Sequence, residues 1–270
     1  MKTKTAPKVI FERFENLAAF ETALNRDNNQ LCGTESQEKN YSGWAGTKTW
    51  AEADALYQNG DSATAARLNK GMEKLKTQLT TSRRTSEAHY YGASPIVARA
   101  IIGHPKAMRR TVQTRQTVKA IHLIYNPSCN CSYNAKQIFD AGFTMLEIIY
   151  RLELSGVRVA LDIVPFSAFM GKREQYISLL KLKAAQQPLD VLRVAYPIAH
   201  TAFFRRHGFK LIESAPITER APNYGYEEKR EITEAELKKH IPGEWRYVKF
   251  HDIVRNEYDA EQLIQSLNIK

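Results

Sequence analysis

The sequence is short of cysteine, of long apolar runs and of catalytic signatures, and each shortage removes a class of protein. Its 270 residues include three cysteines, Cys32, Cys129 and Cys131. An odd number, with two of them one residue apart, does not make a disulfide framework and fits a reducing cytoplasm. The Cys129-x-Cys131 spacing is also tighter than that of a structural zinc pair. The apolar runs flanking Asp162, Ala160–Leu161 and Ile163–Val164, are far shorter than a membrane span requires. The basic start Met1-Lys2-Thr3-Lys4-Thr5 is not followed by the apolar stretch of a secretory leader. No phosphate-cradling G-x-x-x-x-G-K-[ST], no G-x-S-x-G and no H-E-x-x-H occurs. The expectation is a non-enzymatic protein with no cofactor, no metal and no membrane partner.

Acidic residues are scarce in one stretch only. Net charge is +10, from 39 Lys and Arg against 29 Asp and Glu. Twelve of the cations fall between Ala65 and Lys119, where the acids are Glu73 and Glu87, and the remainder of the chain balances. A surplus confined to one stretch is what a phosphate-binding surface needs. Proteins that hold single strands combine cations that track phosphates with rings on which bases stack. The segment supplies Lys74, Lys76, Arg83, Arg84, Arg99, Lys106, Arg109, Arg110 and Arg115 for the first role and the adjacent Tyr90 and Tyr91 for the second. Trp50 stands at helical spacing with Ala53, Leu56 and Tyr57 and is expected in a core.

The pattern predicts an α/β protein in two parts: a mainly helical basic region over 1–118, and a small Rossmann-like sheet flanked by helices over 119–270. In the first part, Phe11, Phe14, Leu17, Ala18 and Leu24 predict a helix over Val9–Asn25. Thr49 should cap a helix from Trp50, and Gly60-Asp61 should separate it from a helix starting at Ser62. Thr80–Gly92 reads as a loop and Pro105–Arg110 as a turn or short helix. In the second part, Ala120–Tyr125, Asn134–Leu154 and Val157–Pro165 read as a βαβ unit with parallel strands, its helix stopped at Gly156. Tyr176–Lys183 is a candidate strand. Helices are expected over Leu189–Ile198, Thr201–His207 and, behind the capping box Thr233-x-x-Glu236, over Ile232–His240. A strand over Trp245–Phe250 and a last helix over Asp259–Leu267 complete the pattern.

Two constellations bear on chemistry. Asn126-Pro127-Ser128-Cys129-Asn130-Cys131-Ser132 lies where open α/β sheets bind ligands, past the carboxyl end of a strand. It offers no carboxylate to a hard cation, so an inactive loop is expected. His200 and His207, with Arg205 and Arg206, suit structural or phosphate-contacting roles. A nuclease would need Asp140, Asp162 and Asp190, isolated in sequence, to converge on a metal.

Several stretches resemble a phage family with a von Willebrand A-like α/β half. They are Gly43-Trp44-Ala45-Gly46-Thr47-x-x-Trp50-x-x-Ala53, Gly103-His104-Pro105-Lys106-Ala107-Met108, the βαβ unit, and Pro188-Leu189-Asp190 leading to Ala199-His200 and Arg205-Arg206. Size, basicity and the lack of catalytic signatures add a resemblance to the single-stranded-DNA-binding RNA polymerase cofactors (Drc-like) of phages. That resemblance implies a transcription factor in the cytoplasm of an infected bacterial host cell, with single-stranded DNA and a phage-encoded RNA polymerase as partners. It assigns no role to any residue. A protein–protein adaptor, such as a host-takeover or anti-defence factor, is the rival reading, and homo-oligomerisation is left open.

Overall fold

The computed structural model describes residues 7–26, 42–79, 86–111, 120–129, 132–170, 174–218, 232–255 and 265. The fold is α/β, and the chain divides into two compact units, residues 1–72 with 119–270, and residues 73–118. The N-terminal residues supply part of the larger unit's sheet and helices.

In the larger unit, β1 (Lys8–Phe14), β5 (Ala120–Asn126), β6 (Arg158–Ile163), β7 (Ser167–Met170), β8 (Glu174–Lys183) and β9 (Arg246–Lys249) form one mixed sheet in the order β1-β8-β6-β5-β9, with β7 on β8. β5 is parallel to β6 and to β9, as β1 is to β8, while β6 and β8 run antiparallel. The βαβ expectation holds: α6 (Ala135–Leu154) joins β5 to β6, opened by an Asn134–Gln137 capping box and closed at Gly156, whose φ is 89°. The helix buries Ile138, Met145, Leu146, Ile148, Ile149 and Leu152. Each such side chain, fully buried, stabilises by about 1.5–3 kcal/mol.

Alternation along the strands builds two cores. Leu123, Tyr125, Leu161, Ile163, Tyr176 and Leu180 join the main cluster with α6. Ile124, Val164, Ile177 and Leu179 join a second cluster with Leu237, Ile241 and Trp245. β1 contributes to both, with Ile10 against the first and Phe11 against the second.

The helix expected over Val9–Asn25 is corrected. Lys8–Phe14 is a strand in register with Glu174–Leu180, and only α1 (Leu17–Leu24), capped by Asn16, is helical. The spacing of Phe11, Phe14 and Leu17 came from a strand running into a helix. The strand at Tyr176–Lys183 is present, as are the expected α3 (Trp50–Asn59), capped by Thr49, and α4 (Ser62–Leu79). A short α2 (Ser42–Ala45) precedes them. Asp190 caps α7 (Val191–Ala199), which leads to a π-helix at Phe203–Gly208 and then α8 (Phe209–Ser214). Thr233 and Glu236 form the expected box on α9 (Glu234–Leu237), and α10 (Phe250–Val254) follows β9. The helix expected over Asp259–Leu267 lies outside the described residues, save residue 265. No helix among the described residues is long and apolar enough to cross a membrane.

Candidate nucleic-acid interface

The small unit carries most of the candidate residues. Its strands β2 (Ser86–His89), β3 (Ser94–Pro95) and β4 (Met108–Thr111) form a sheet in the order β2-β4-β3, antiparallel throughout. The sequence predicts a loop over Thr80–Gly92 and a turn or short helix over Pro105–Arg110, but Ser86–His89 and Met108–Thr111 pair with each other as strands. Strands this short are decided by their partners, not by their own pattern.

β2 and β3 both run toward the Met108 end of β4. The chain must therefore cross β4 between them, and Tyr90-Tyr91-Gly92-Ala93 makes that crossing. Gly92 is required by the close approach: a Cβ there would lie 2.1 Å from the Arg109 carbonyl oxygen. Ala93 N donates to that same carbonyl at 3.0 Å. The crossing presents the two tyrosines, which are 62% and 61% exposed. Lys106 Nζ stands 5.5 Å from the Tyr90 ring centre. The Arg110 guanidinium lies 5.0 Å from the Tyr91 ring and donates to the Tyr91 hydroxyl at 3.0 Å. His89 stands edge-on to both rings, 5.7 Å from Tyr90 and 4.4 Å from Tyr91 between ring centres, so each tyrosine packs on a cation and on this imidazole while staying more than half exposed.

Arg99 on α5 (Val97–Ile101), Lys106 and Arg109 are exposed, and Arg110 is half-buried. Glu87 pairs across the strands with Arg110 and is the one acid of this three-stranded sheet. Lys74 and Lys76 lie on α4, with side chains outside the described residues. Arg83, Arg84 and Arg115 lie wholly outside them. The structure thus brings together Tyr90, Tyr91, Lys106 and Arg110, with Arg109 on the neighbouring strand position. Sequence reasoning passed over Val97, Ile101 and Ile102, which are 65%, 79% and 75% exposed. Nothing local marks an isoleucine as exposed, so no sequence signal would have found them.

The tryptophan and histidine motifs meet in the larger unit instead. Arg206, 2% exposed, donates from Nε to Thr47 Oγ1 at 2.7 Å and from Nη2 to Thr47 O at 2.8 Å. Arg205 donates to Trp44 O at 2.8 Å and to Tyr133 O at 2.6 Å. Trp50 is buried, as expected, with its ring edge-on to His207 at 5.5 Å. The Gly43–Ala53 stretch is therefore fastened to the π-helix, and the phosphate-contacting role considered for Arg205, Arg206 and His207 gives way to a structural one. π-Helical turns often accompany function, but these cations are committed to the protein's own carbonyls.

The family model described as Domain of unknown function (DUF7192) matches residues 2–266. The chain belongs to the DUF7192 family. No curated protein and no solved structure matches it.

His207 of the DUF7192 chain sits between Asp54 and Tyr196. A carboxylate only accepts, so Nε2–H donates to Asp54 Oδ1 at 3.1 Å while Nδ1 accepts from the Tyr196 hydroxyl at 2.9 Å. Burial pushes the His207 imidazole below its ordinary value, with the Asp54 hydrogen bond opposing and nearby Lys210 reinforcing the shift. Burial lowers His200 likewise, against the pull of Asp61. Asp54 is held low first by its hydrogen bond from His207. The unfolded chain therefore takes up protons on these rings before the folded chain does. Stability should be full above about pH 6.5 and fall as pH drops through that value, because the unfolded state binds more protons there. Thermal melts between about pH 5 and pH 8 check this. A melting temperature flat across that window would overturn it.

The loop after β5 has its amide committed. Asn126 Oδ1 accepts from Ser128 N at 3.0 Å, and Nδ2 donates to the Tyr247 hydroxyl at 2.7 Å. Asp140 pairs with Lys136, Asp162 with His122 and Arg13, and Asp190 caps α7, so these three carboxylates have separate partners. Chelator treatment is expected to leave the melting temperature unchanged. A drop reversed by magnesium would assign this loop a cation.

Proposed function

We propose that this DUF7192 protein is a non-enzymatic single-stranded-DNA-binding protein of a phage, which recruits the phage-encoded RNA polymerase to melted DNA in the cytoplasm of an infected bacterial cell. The observation that carries the reading is the pair Tyr90–Tyr91, adjacent and more than half exposed, with Lys106 and Arg110 against the rings. Rings of this kind stack on unpaired bases, and cations beside them neutralise the phosphates of the same strand. Stacking on base faces and contacts to phosphates carry little sequence information, so binding should tolerate any sequence.

Equilibrium binding to matched single- and double-stranded DNA and RNA across a salt series tests the proposal. Affinity should fall steeply with salt, because each neutralised phosphate releases counterions. Arg99→Ala with Arg109→Ala should weaken binding to all sequences alike and flatten the logarithmic salt slope by about one to two units. The same is expected of Arg83→Ala with Arg84→Ala. An unchanged slope in a folded double variant removes that pair from the surface. Binding to an acidic protein but to no oligonucleotide would favour the adaptor reading.

A further inference from the structure

Eight large apolar residues are exposed among the described residues, and five of them, Tyr90, Tyr91, Val97, Ile101 and Ile102, belong to the small unit. The tyrosines belong to the proposed strand-binding surface; the aliphatic residues have no part in it. α5 buries none of its residues. Ile101 closes it and Ile102 follows, and the turn is then tied back by Gly103 N to Ala100 O at 3.1 Å and His104 N to Arg99 O at 2.9 Å. Both isoleucines are β-branched and stiff at χ1. The result is a hydrogen-bonded turn that displays two adjacent aliphatic side chains.

The topology places this tip beside the tyrosine crossing. β3 ends at Pro95, opposite Met108, and Ile96 N donates to Ala107 O at 2.6 Å, so the segment between them projects past the Met108 end of the sheet. β2 ends at His89, also opposite Met108, and Tyr90 and Tyr91 follow it. Lys106, at the base of the projection, is the cation against Tyr90. The aromatic crossing and the aliphatic tip thus leave the same end of one sheet.

Charge decides what can cover the tip. Between Glu73 and Val118 nine Lys and Arg stand against two Glu. A second copy of the unit would bring like charges together, whereas a nucleic acid brings phosphates to the cations and apolar base faces to the isoleucines. Aliphatic side chains do not hold a mobile single strand by ring stacking; they fill the gap where a base step is opened. We propose that Ile101 and Ile102 form a wedge that abuts the last base pair at a junction between duplex and single strand, while Tyr90 and Tyr91 hold the unpaired strand. This rests on the single-strand reading given above and narrows its substrate to forked DNA.

The test compares three DNA probes of one sequence, a single strand, a blunt duplex and a fork with a single-stranded arm, the last carrying 2-aminopurine in the terminal pair. The intact protein should bind the fork about tenfold more tightly than the single strand, and the 2-aminopurine should brighten as it unstacks. Ile101→Ser with Ile102→Ser should bring the fork and single-strand affinities together and abolish the brightening. It should leave single-strand affinity within about twofold, since neither residue carries charge or a ring. Both sites are exposed, so the melting temperature should not move, and Ile101→Leu with Ile102→Leu should restore the fork preference. Equal binding of fork and single strand by the intact protein overturns the wedge and leaves the single-strand reading standing. Failure to bind any single strand overturns that reading itself. Unchanged fork binding by the serine variant, with loss of binding to a phage RNA polymerase, would make the tip a protein contact and overturn the wedge.

Discussion

Replacing both Tyr90 and Tyr91 with alanine is expected to erase the proposed preference for single strands, which should reach tenfold or more in the intact protein. Two terms oppose each other in that preference. A duplex has the denser phosphate charge, so Arg99, Lys106, Arg109 and Arg110 alone would favour it. The duplex hides its base faces, so rings can stack only on unpaired bases, at about 1–3 kcal/mol per base. One or two stacked bases then outweigh the charge term, since about 1.4 kcal/mol is a factor of ten. The tyrosines are positioned for this by a crossing that depends on Gly92 and by the cations that pack on them. Competition binding with matched single- and double-stranded oligonucleotides at moderate salt measures it. The double variant should keep a residual, salt-sensitive affinity for both forms. If the intact protein binds duplex as tightly as single strand, recruitment to melted DNA loses its basis and the chain is a general basic DNA binder.

The largest effect on stability is expected from Arg206→Ala. Arg206 is buried in the π-helix and makes two hydrogen bonds to Thr47, with its guanidinium 5.7 Å from the Trp50 ring centre. Truncation leaves the Thr47 carbonyl and hydroxyl without that donor and opens a cavity beneath Trp50. A buried polar group left unpaired costs about 1–3 kcal/mol, and the lost packing adds to it. A total near 3–5 kcal/mol corresponds to a fall in melting temperature of roughly 10 °C for a chain of this size. Arg206→Lys should recover little, because an ammonium cannot reproduce the fork that meets both Thr47 atoms. A shift within about 2 °C would show that the Gly43–Ala53 stretch is held by other contacts. DNA affinity measured well below the melting temperature should change little in this variant, which separates its structural role from the binding role proposed for the tyrosines.

How much of this was legible beforehand depends on how local the causes are. The strand, long helix and strand over residues 120–163 were readable because α6 carries its cap at Asn134, its apolar stripe and its stop at Gly156 within one stretch. Thr49, Thr233 and Glu236 announced their helices for the same reason. β1 was not readable as a strand, because its partner β8 lies about 166 residues away and nothing near Phe11 records that pairing. The small sheet was missed because two of its strands are four residues long and the third is two.

The candidate interface divides along the same line. By itself the sequence determined the charge asymmetry, the adjacency of Tyr90 and Tyr91 and the burial of Trp50, since charge is counted directly and helical spacing is a local property. Only the tertiary structure decided which cations face solvent. Arg205 and Arg206 have the same charge as Arg99 and Arg109, yet the first pair is buried against backbone carbonyls and the second is exposed. The exposure of Ile101 and Ile102 was likewise decided by the fold. Solvent exposure is set by whatever else packs nearby, and for these residues that depends on chain segments distant in sequence, which no local pattern encodes.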